Sequence, residues 1–234
     1  VWNHSRRGCM QGMKGMRVAR IVWAAVMVLS VASCASVQRP EVRQLPERVE
    51  LNGVPFFRGN AHQSAPHVLA SMFNEQRIGT TPGLLTKPLK LPQAEQALQG
   101  NMQALAEQYG LMVYPLDPSL SAVLTQVAAG YPVMVRIADG VVWSTPRYAM
   151  VVGYDRHKQT VLLRAGMERR RPMSFNAFES AWKEEGSWAV LILSPAQLPA
   201  RVDKARWLKA AEALARAGQE QASAKAIQTL EAQQ

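Results

Sequence analysis

The chain has 234 residues, 48% of them hydrophobic, which is enough apolar material for one substantial core, and a formal net charge of +10. The five cations Arg6, Arg7, Lys14, Arg17 and Arg20 have no acid among them, so everything from residue 34 onward carries +5, a mildly basic surface and not a nucleic-acid signature. Cys9 and Cys34 are the only cysteines, which denies the remainder a disulfide framework, a cysteine metal site and a thiol nucleophile.

Val1 to Cys9 lack the patterning of a folded segment, and Met10, Met13 and Met16 each offer an alternative start. Lys14, Arg17 and Arg20 then form a positive region ahead of the apolar run Ile21 to Val31, which is shorter than the about 20 residues a membrane span needs. Val31-Ala32-Ser33-Cys34 ends the run with small residues before a cysteine and resembles a bacterial lipobox. The resemblance implies a lipoprotein signal peptide with an upstream extension over residues 1–33. It also implies acylation of Cys34, with stable anchoring because more than one acyl chain is buried. Ala35 and Ser36 follow in place of an Asp, which by resemblance to Gram-negative sorting implies the outer membrane of the cell envelope, with the domain facing the periplasm. An ordinary secretory signal cut near the same place is the alternative. Residues 34–48, with Pro40, Pro46 and alternating charge, are expected to form a lipid-anchored tether.

Residues 49–199 are expected to form one domain. Val54 to Phe57 predict a short apolar strand and Arg58-Gly59-Asn60 a turn. Ser64 is the expected N-cap of a helix with Pro66 in its first turn and Val68, Leu69, Met72 and Phe73 inward, running to about Gln76 and closed by Gly79. Residues 80–99 contain Pro82, Pro88 and Pro92 without a sustained period, a loop-rich excursion ending in a short helix. Asn101 to Tyr109 predict a helix closed by Gly110, Leu111 to Pro115 a strand, Ser119 to Ala129 a helix ended by Gly130, and Pro132 to Ile137 a strand. Strands at Arg147 to Tyr154, Thr160 to Arg164 and Trp188 to Leu193 follow, with a helix from about Asn176 to Lys183. Helices first and an antiparallel sheet afterwards make an α+β fold.

The chemistry concentrates at Ser64. A side chain at a helix start sits beside unpaired backbone N–H groups and the positive end of the helix dipole, where nucleophiles of hydrolases are often placed. The stretch VPFFRGNAHQSAPHVLA, Val54 to Ala70, resembles the V-P-F-x-x-Q-x-x-x-x-C-G-P-A segment of papain-like cysteine peptidases that cleave double-glycine leaders from bacteriocins, especially their lipoprotein relatives. Arg147 to Asp155, RYAMVVGYD, resembles the H-Y-A-V-V-V-G-Y-D strand of the same family. The resemblance covers roughly Val49 to Pro199 and implies a papain-like fold with N-terminal helices packed on an antiparallel sheet. It also implies where the reactive groups should stand. Gln63-Ser64-Ala65-Pro66 takes the place of Q-C-G-P, so Ser64 replaces the nucleophilic Cys. Gly59 replaces the oxyanion-hole Gln, Arg147 the catalytic His, and Ala165, followed by Gly166, the orienting Asp.

The resemblance implies that these replacements leave little catalysis. A hydroxyl attacks a carbonyl only when a base within hydrogen-bond reach takes its proton, and a guanidinium has no lone pair to accept one. Loss of an oxyanion donor alone costs on the order of 100- to 1000-fold in rate. The leading expectation is a catalytically silent peptidase-like protein whose degenerate cleft binds a peptide or protein partner in secretion or envelope assembly. Gln63, Ser64, Trp143 and Arg147 are its candidate contacts, with Arg147 a charge-assisted donor to a carboxylate or carbonyl.

The tail, residues 200–234, is Ala-rich. Trp207, Leu208, Ala211, Leu214 and Ala215 share one face, Ala222, Ala226, Ile227 and Leu230 another, and Gly218 separates two helices. The pattern resembles a single tetratricopeptide repeat, although one repeat cannot bury its own faces, and a hairpin packed on the domain fits equally. A scaffold that holds its partner through these helices is therefore one alternative. The other is an active hydrolase in which Ser64 works with His67, three residues on. An N-cap Ser and a solvated His explain that pair without chemistry. His62 falls in a turn, His157 in a polar turn, and Glu168-Arg169-Arg170-Arg171 in an expected solvated loop. No His and carboxylate set has metal-ligand spacing, no glycine-rich phosphate loop follows a strand, and no cofactor is expected.

Overall fold

The computed structural model of the chain describes residues 40–93, 95–140 and 145–233. Cys34, the signal segment and Trp143 lie outside them. The fold starts inside the expected tether. Helix α1 (Pro40–Arg43) places Val42 in the core at 6% exposure, and its Glu41 accepts a hydrogen bond from Ser121 at 2.6 Å. Strand β1 (Arg48–Glu50) follows, and Leu45 and Val49 pack against the same core, an apolar spacing that the flanking charges obscure.

Helix α2 (Ser64–Glu75) carries the buried stripe expected of it, including Val68, Leu69, Met72 and Phe73. Two of its details differ from expectation. Ser64 is the first helical residue and not the cap: Gln63 takes the cap position without a side-chain bond, after a 3₁₀ turn at Ala61–Gln63. The left-handed residue that closes the helix is Arg77 (φ 63°) and not Gly79, because Ile78 N–H bonds Phe73 O at 2.9 Å and Arg77 N–H bonds Asn74 O at 3.0 Å, the paired closure of a Schellman motif. Val54 to Phe57 is irregular and not a strand. The nearby pairing edge is already used by β1 and by the Leu51 N–H bond to Val152 O, so Val54 enters the core from a loop.

The excursion after α2 contains α3 (Pro82–Thr86), and α4 (Leu98–Gln108) starts three residues before Asn101, whose side-chain amide donates to Leu89 O instead of capping. Strand β2 (Met112–Pro115) and helix α5 (Leu120–Ala128) match expectation, with Ser119 Oγ capping by accepting the Ala122 N–H at 3.1 Å. Then come β3 (Val133–Asp139), β4 (Thr145–Asp155), β5 (Thr160–Ala165), β6 (Glu168–Ser174), α6 (Phe175–Glu184) and β7 (Ala189–Leu193). The antiparallel sheet runs β2-β7-β3-β4-β5-β6, with β1 added at the far end of β4.

Strand β6 corrects the solvated-loop reading of Glu168 to Arg171. The run looks like a loop because an edge strand shows most of its side chains to water, and charges protect such an edge from pairing with other chains. Two of its three arginines are also committed. Arg170 forms a two-pronged bond with Glu50 at 2.7 and 2.8 Å, and Arg171 does the same with Asp139 at 3.0 and 2.8 Å.

Alternation along the strands divides the core. Tyr148, Met150 and Val152 of β4 meet Leu69, Phe73 and Met102 of the N-terminal helices, whereas Ala149 and Val151 face α5, α6 and the C-terminal hairpin. That hairpin, α7 (Lys204–Arg216) and α8 (Glu220–Glu231), packs on the domain as an integral part of its core. Trp207 is fully buried, its indole N–H donates to Ala226 O at 2.8 Å, and Tyr114 lies against it at 6.3 Å between ring centroids. Gln126 and Ala200 exchange hydrogen bonds at 2.8 and 2.9 Å at the junction. Among the described residues no helix is long and apolar enough to cross a membrane.

Candidate functional site

The fold brings Ser64, Gly59, Arg147 and Gly166 to one place, where the start of α2 meets the start of β4 and the β5–β6 turn. Ser64 is 5% exposed, and its Oγ accepts the backbone N–H of Tyr148 at 3.1 Å. Among the described residues no histidine or carboxylate hydrogen-bonds to that oxygen. Gln63 is exposed and contributes its backbone to the turn.

His67 stands one turn along α2. Its Nδ1 lies 2.6 Å from Gln63 O, and because a carbonyl only accepts, this assigns the neutral ring's proton to Nδ1 and leaves Nε2 bare. The ring occupies the space of the missing residue-59 side chain: a Cβ on Gly59 would meet Nε2 at 2.6 Å and Cε1 at 2.7 Å. The space where the resemblance expects a glutamine side chain at position 59 is thus filled by an imidazole.

Arg147 is turned away from a base's task. Its Nη1 pairs with Asp139 Oδ2 at 3.0 Å, with both side chains less than one-fifth exposed, while its buried Nε has no acceptor among the described residues. Arg147 faces Ile137 across the β3–β4 ladder, so Asp139, two residues along, is its diagonal neighbour on the same face. The bidentate bond from Arg171 holds the Asp139 carboxyl below the usual carboxylate range, Arg147 adds to this, and burial opposes it. The same bond pushes Arg171 up. Gly166, with φ +59°, lets the guanidinium through, since a Cβ there would overlap Arg147 Nη1. Gly166 O also accepts the Gly59 N–H at 3.1 Å, which locks the two loops together. Ala165 is buried in the core at 1% exposure.

Sequence reasoning missed two residues here. Asp139 gives no local signal, because its partners are distant in sequence and only strand register joins them. Arg164 lies 4% exposed on the α2 face of β5, where alternation alone places an inward side chain. Together with Ser64, His67, Ser71, Tyr148 and Phe56 it borders a space of about 10 Å³, room for one water-sized species. Among the described residues no three His, Cys, Asp or Glu side chains group as metal ligands.

A larger groove lies between the sheet and α7, with a volume of about 500 Å³. Val113, Trp188, Val190, Ala210 and Ala213 give it apolar walls, and Arg206, Lys209 and Arg216 border it, Arg206 paired with Asp117 at 2.7 Å and Arg216 with Glu212 at 3.6 Å; among the described residues no carboxylate lines it. It is linked to the Ser64 site through aromatic contact, since the Trp188 and Tyr148 rings meet edge to face at 5.6 Å.

Comparison with known proteins agrees at the level of the fold. A C39-like peptidase from Bacillus anthracis superimposes with a TM-score of 0.53 and 17% identity, over 63% of this chain and 98% of that one. The peptidase domain of Streptococcus ComA, a bifunctional ABC transporter of a quorum-sensing pathway, matches with a TM-score of 0.47 and 17% identity, over 60% and 98%. Xylellain, a cysteine protease from Xylella fastidiosa, matches with 0.48 and 8%, over 67% and 89%. No family model and no curated protein sequence matches the chain. The first of these superpositions shows that the chain has the α+β fold of a C39-like peptidase.

Proposed function

We propose that this chain is a catalytically silent peptidase-like lipoprotein that binds a peptide or protein partner in the bacterial periplasm. The observation that carries the reading is the environment of Ser64 Oγ, whose hydrogen-bond partner is the backbone N–H of Tyr148, a donor that cannot remove a proton. The substituted base position supports it further, because Arg147 is paired with Asp139.

The partner's chemistry follows from where there is room. The space beside Ser64 takes one water-sized species, whereas the groove between the sheet and α7 is of the size that holds ligands. Its apolar walls and its border, where Lys209 stands beside the ion-paired Arg206 and Arg216, complement a peptide segment that carries apolar and acidic side chains together. In this reading the C-terminal hairpin is one wall of the recognition surface, which joins the cleft and hairpin readings. Lys209, exposed and without an ion-pair partner among the described residues, is the residue to test. Fluorescence anisotropy should show acidic apolar peptides binding the natural chain, with affinity reduced several-fold by Lys209→Glu and by added salt. Equal binding of basic peptides, or indifference to Lys209→Glu, argues against this surface.

A second reading, hydrolysis by Ser64 with His67, is favoured by the bare Nε2 that the Gln63 bond leaves. It predicts labelling of Ser64 by a serine-directed acylating probe, lost in both Ser64→Ala and His67→Ala. Anchoring through Cys34 is tested by metabolic labelling with a fatty-acid analogue, which Cys34→Ala should abolish.

A further inference from the structure

Arg164 is buried to 4% exposure, and no carboxylate lies within ion-pair distance of it among the described residues. Its Nη2 donates to Leu51 O at 2.9 Å and Asn52 O at 3.2 Å, but its buried Nε and Nη1 have no acceptor among the described residues. A guanidinium does not shed its proton at physiological pH, and an uncompensated buried charge is strongly unfavourable. Burial is the main influence pressing the Arg164 pKa down, Arg169 adds to it, and Glu75 and Glu50 oppose it only from a distance.

The small space bordered by Arg164 presents the guanidinium and the Ser64 hydroxyl as donors, while the bare His67 Nε2 is packed against Gly59. Ser64 Oγ accepts from Tyr148 N–H, which leaves its own proton without an acceptor among the described residues. The Ser71 hydroxyl is committed to His67 O at 2.9 Å, and the His67 Nδ1 proton to Gln63 O. Ser64 opens the twelve-residue helix α2, whose N-terminus adds positive partial charge. A volume of about 10 Å³ admits a single water-sized species and no organic acid.

We propose that the space between Arg164 and the first turns of α2 is a binding site for one small monovalent inorganic anion of the chloride class. The anion is the counter-charge of Arg164, accepting from the guanidinium and from the Ser64 hydroxyl. It stabilises the packing of β5 on α2, and it does so whether or not the chain proves catalytically silent.

Thermal unfolding of the full chain, with sodium chloride replacing sodium gluconate at constant ionic strength, tests the site. Tm should rise by about 3 to 5 °C for each tenfold increase in chloride above the dissociation constant. The rise should vanish in Arg164→Met. If that variant does not fold, Ser64→Ala keeps the guanidinium and should need about tenfold more chloride for the same shift. Crystals soaked in bromide should show an anomalous peak beside Arg164. A Tm equal in the two salts, an undiminished chloride effect in Arg164→Met or Ser64→Ala, or a bromide soak without that peak would each overturn the proposal.

Discussion

Arg147 and Asp139 form an ion pair of 3.0 Å across the β3–β4 hairpin, and Arg171 grips the same carboxylate from β6. Three strands are thus tied at one acid. The Asp139 carboxyl titrates lower in the folded chain than in the unfolded one, so its stabilisation is fully present above the unfolded value of about 3.9 and is lost as pH falls through the depressed folded value. Asp139→Asn should cost about 1–3 kcal/mol at pH 7, since it leaves the partly buried Arg147 without a carboxylate and Arg171 with only Glu168 at 3.8 Å. Urea unfolding from pH 7 downward should show the gap between variant and natural chain closing in acid. A gap that stays constant below pH 4 contradicts this role.

Gly59 is held small by His67. Gly59→Ala should destabilise the chain by about 1–3 kcal/mol, because its Cβ would collide with the imidazole. His67→Ala should relieve that cost, with a coupling of about 1 kcal/mol or more in a double-mutant cycle. Additive effects would mean that the ring moves aside freely. For the same reason Ser64→Cys, Arg147→His, Gly59→Gln and Ala165→Asp together should stay inactive while His67 remains.

The C-terminal hairpin is a structural member of the domain. Trp207→Ala should cost about 3–5 kcal/mol, through the cavity it leaves and the lost bond to Ala226 O. Removing residues 200–234 should lower the Tm of the whole chain in calorimetry, whereas a detachable scaffold module would leave the remaining transition unchanged.

The helices and central strands were legible because their apolar periods are set by burial: α2, α5, β4 and β5 lie close to their expected bounds. The edges were not. Strand β6 carries Glu168 to Arg170 toward water, and β1 is three residues long, so neither has an apolar alternation to show. Positions 59, 64, 147 and 165 could be located by resemblance, and the structure brings 59, 64 and 147 together. What fills the site could not be read, because the His67–Gly59 and Arg147–Asp139 contacts depend on ring placement and strand register. Ser64 had the composition of an N-cap, but the Tyr148 N–H takes its oxygen first.

The central claim is that Ser64 has no working base. Its most direct test is cleavage of a fluorogenic peptide library by the natural chain and by Ser64→Ala, followed by mass spectrometry. The account expects no turnover above background from either protein, with peptide binding retained in both. Turnover by the natural chain that disappears in Ser64→Ala would contradict it and make this a serine hydrolase built on a cysteine-peptidase fold.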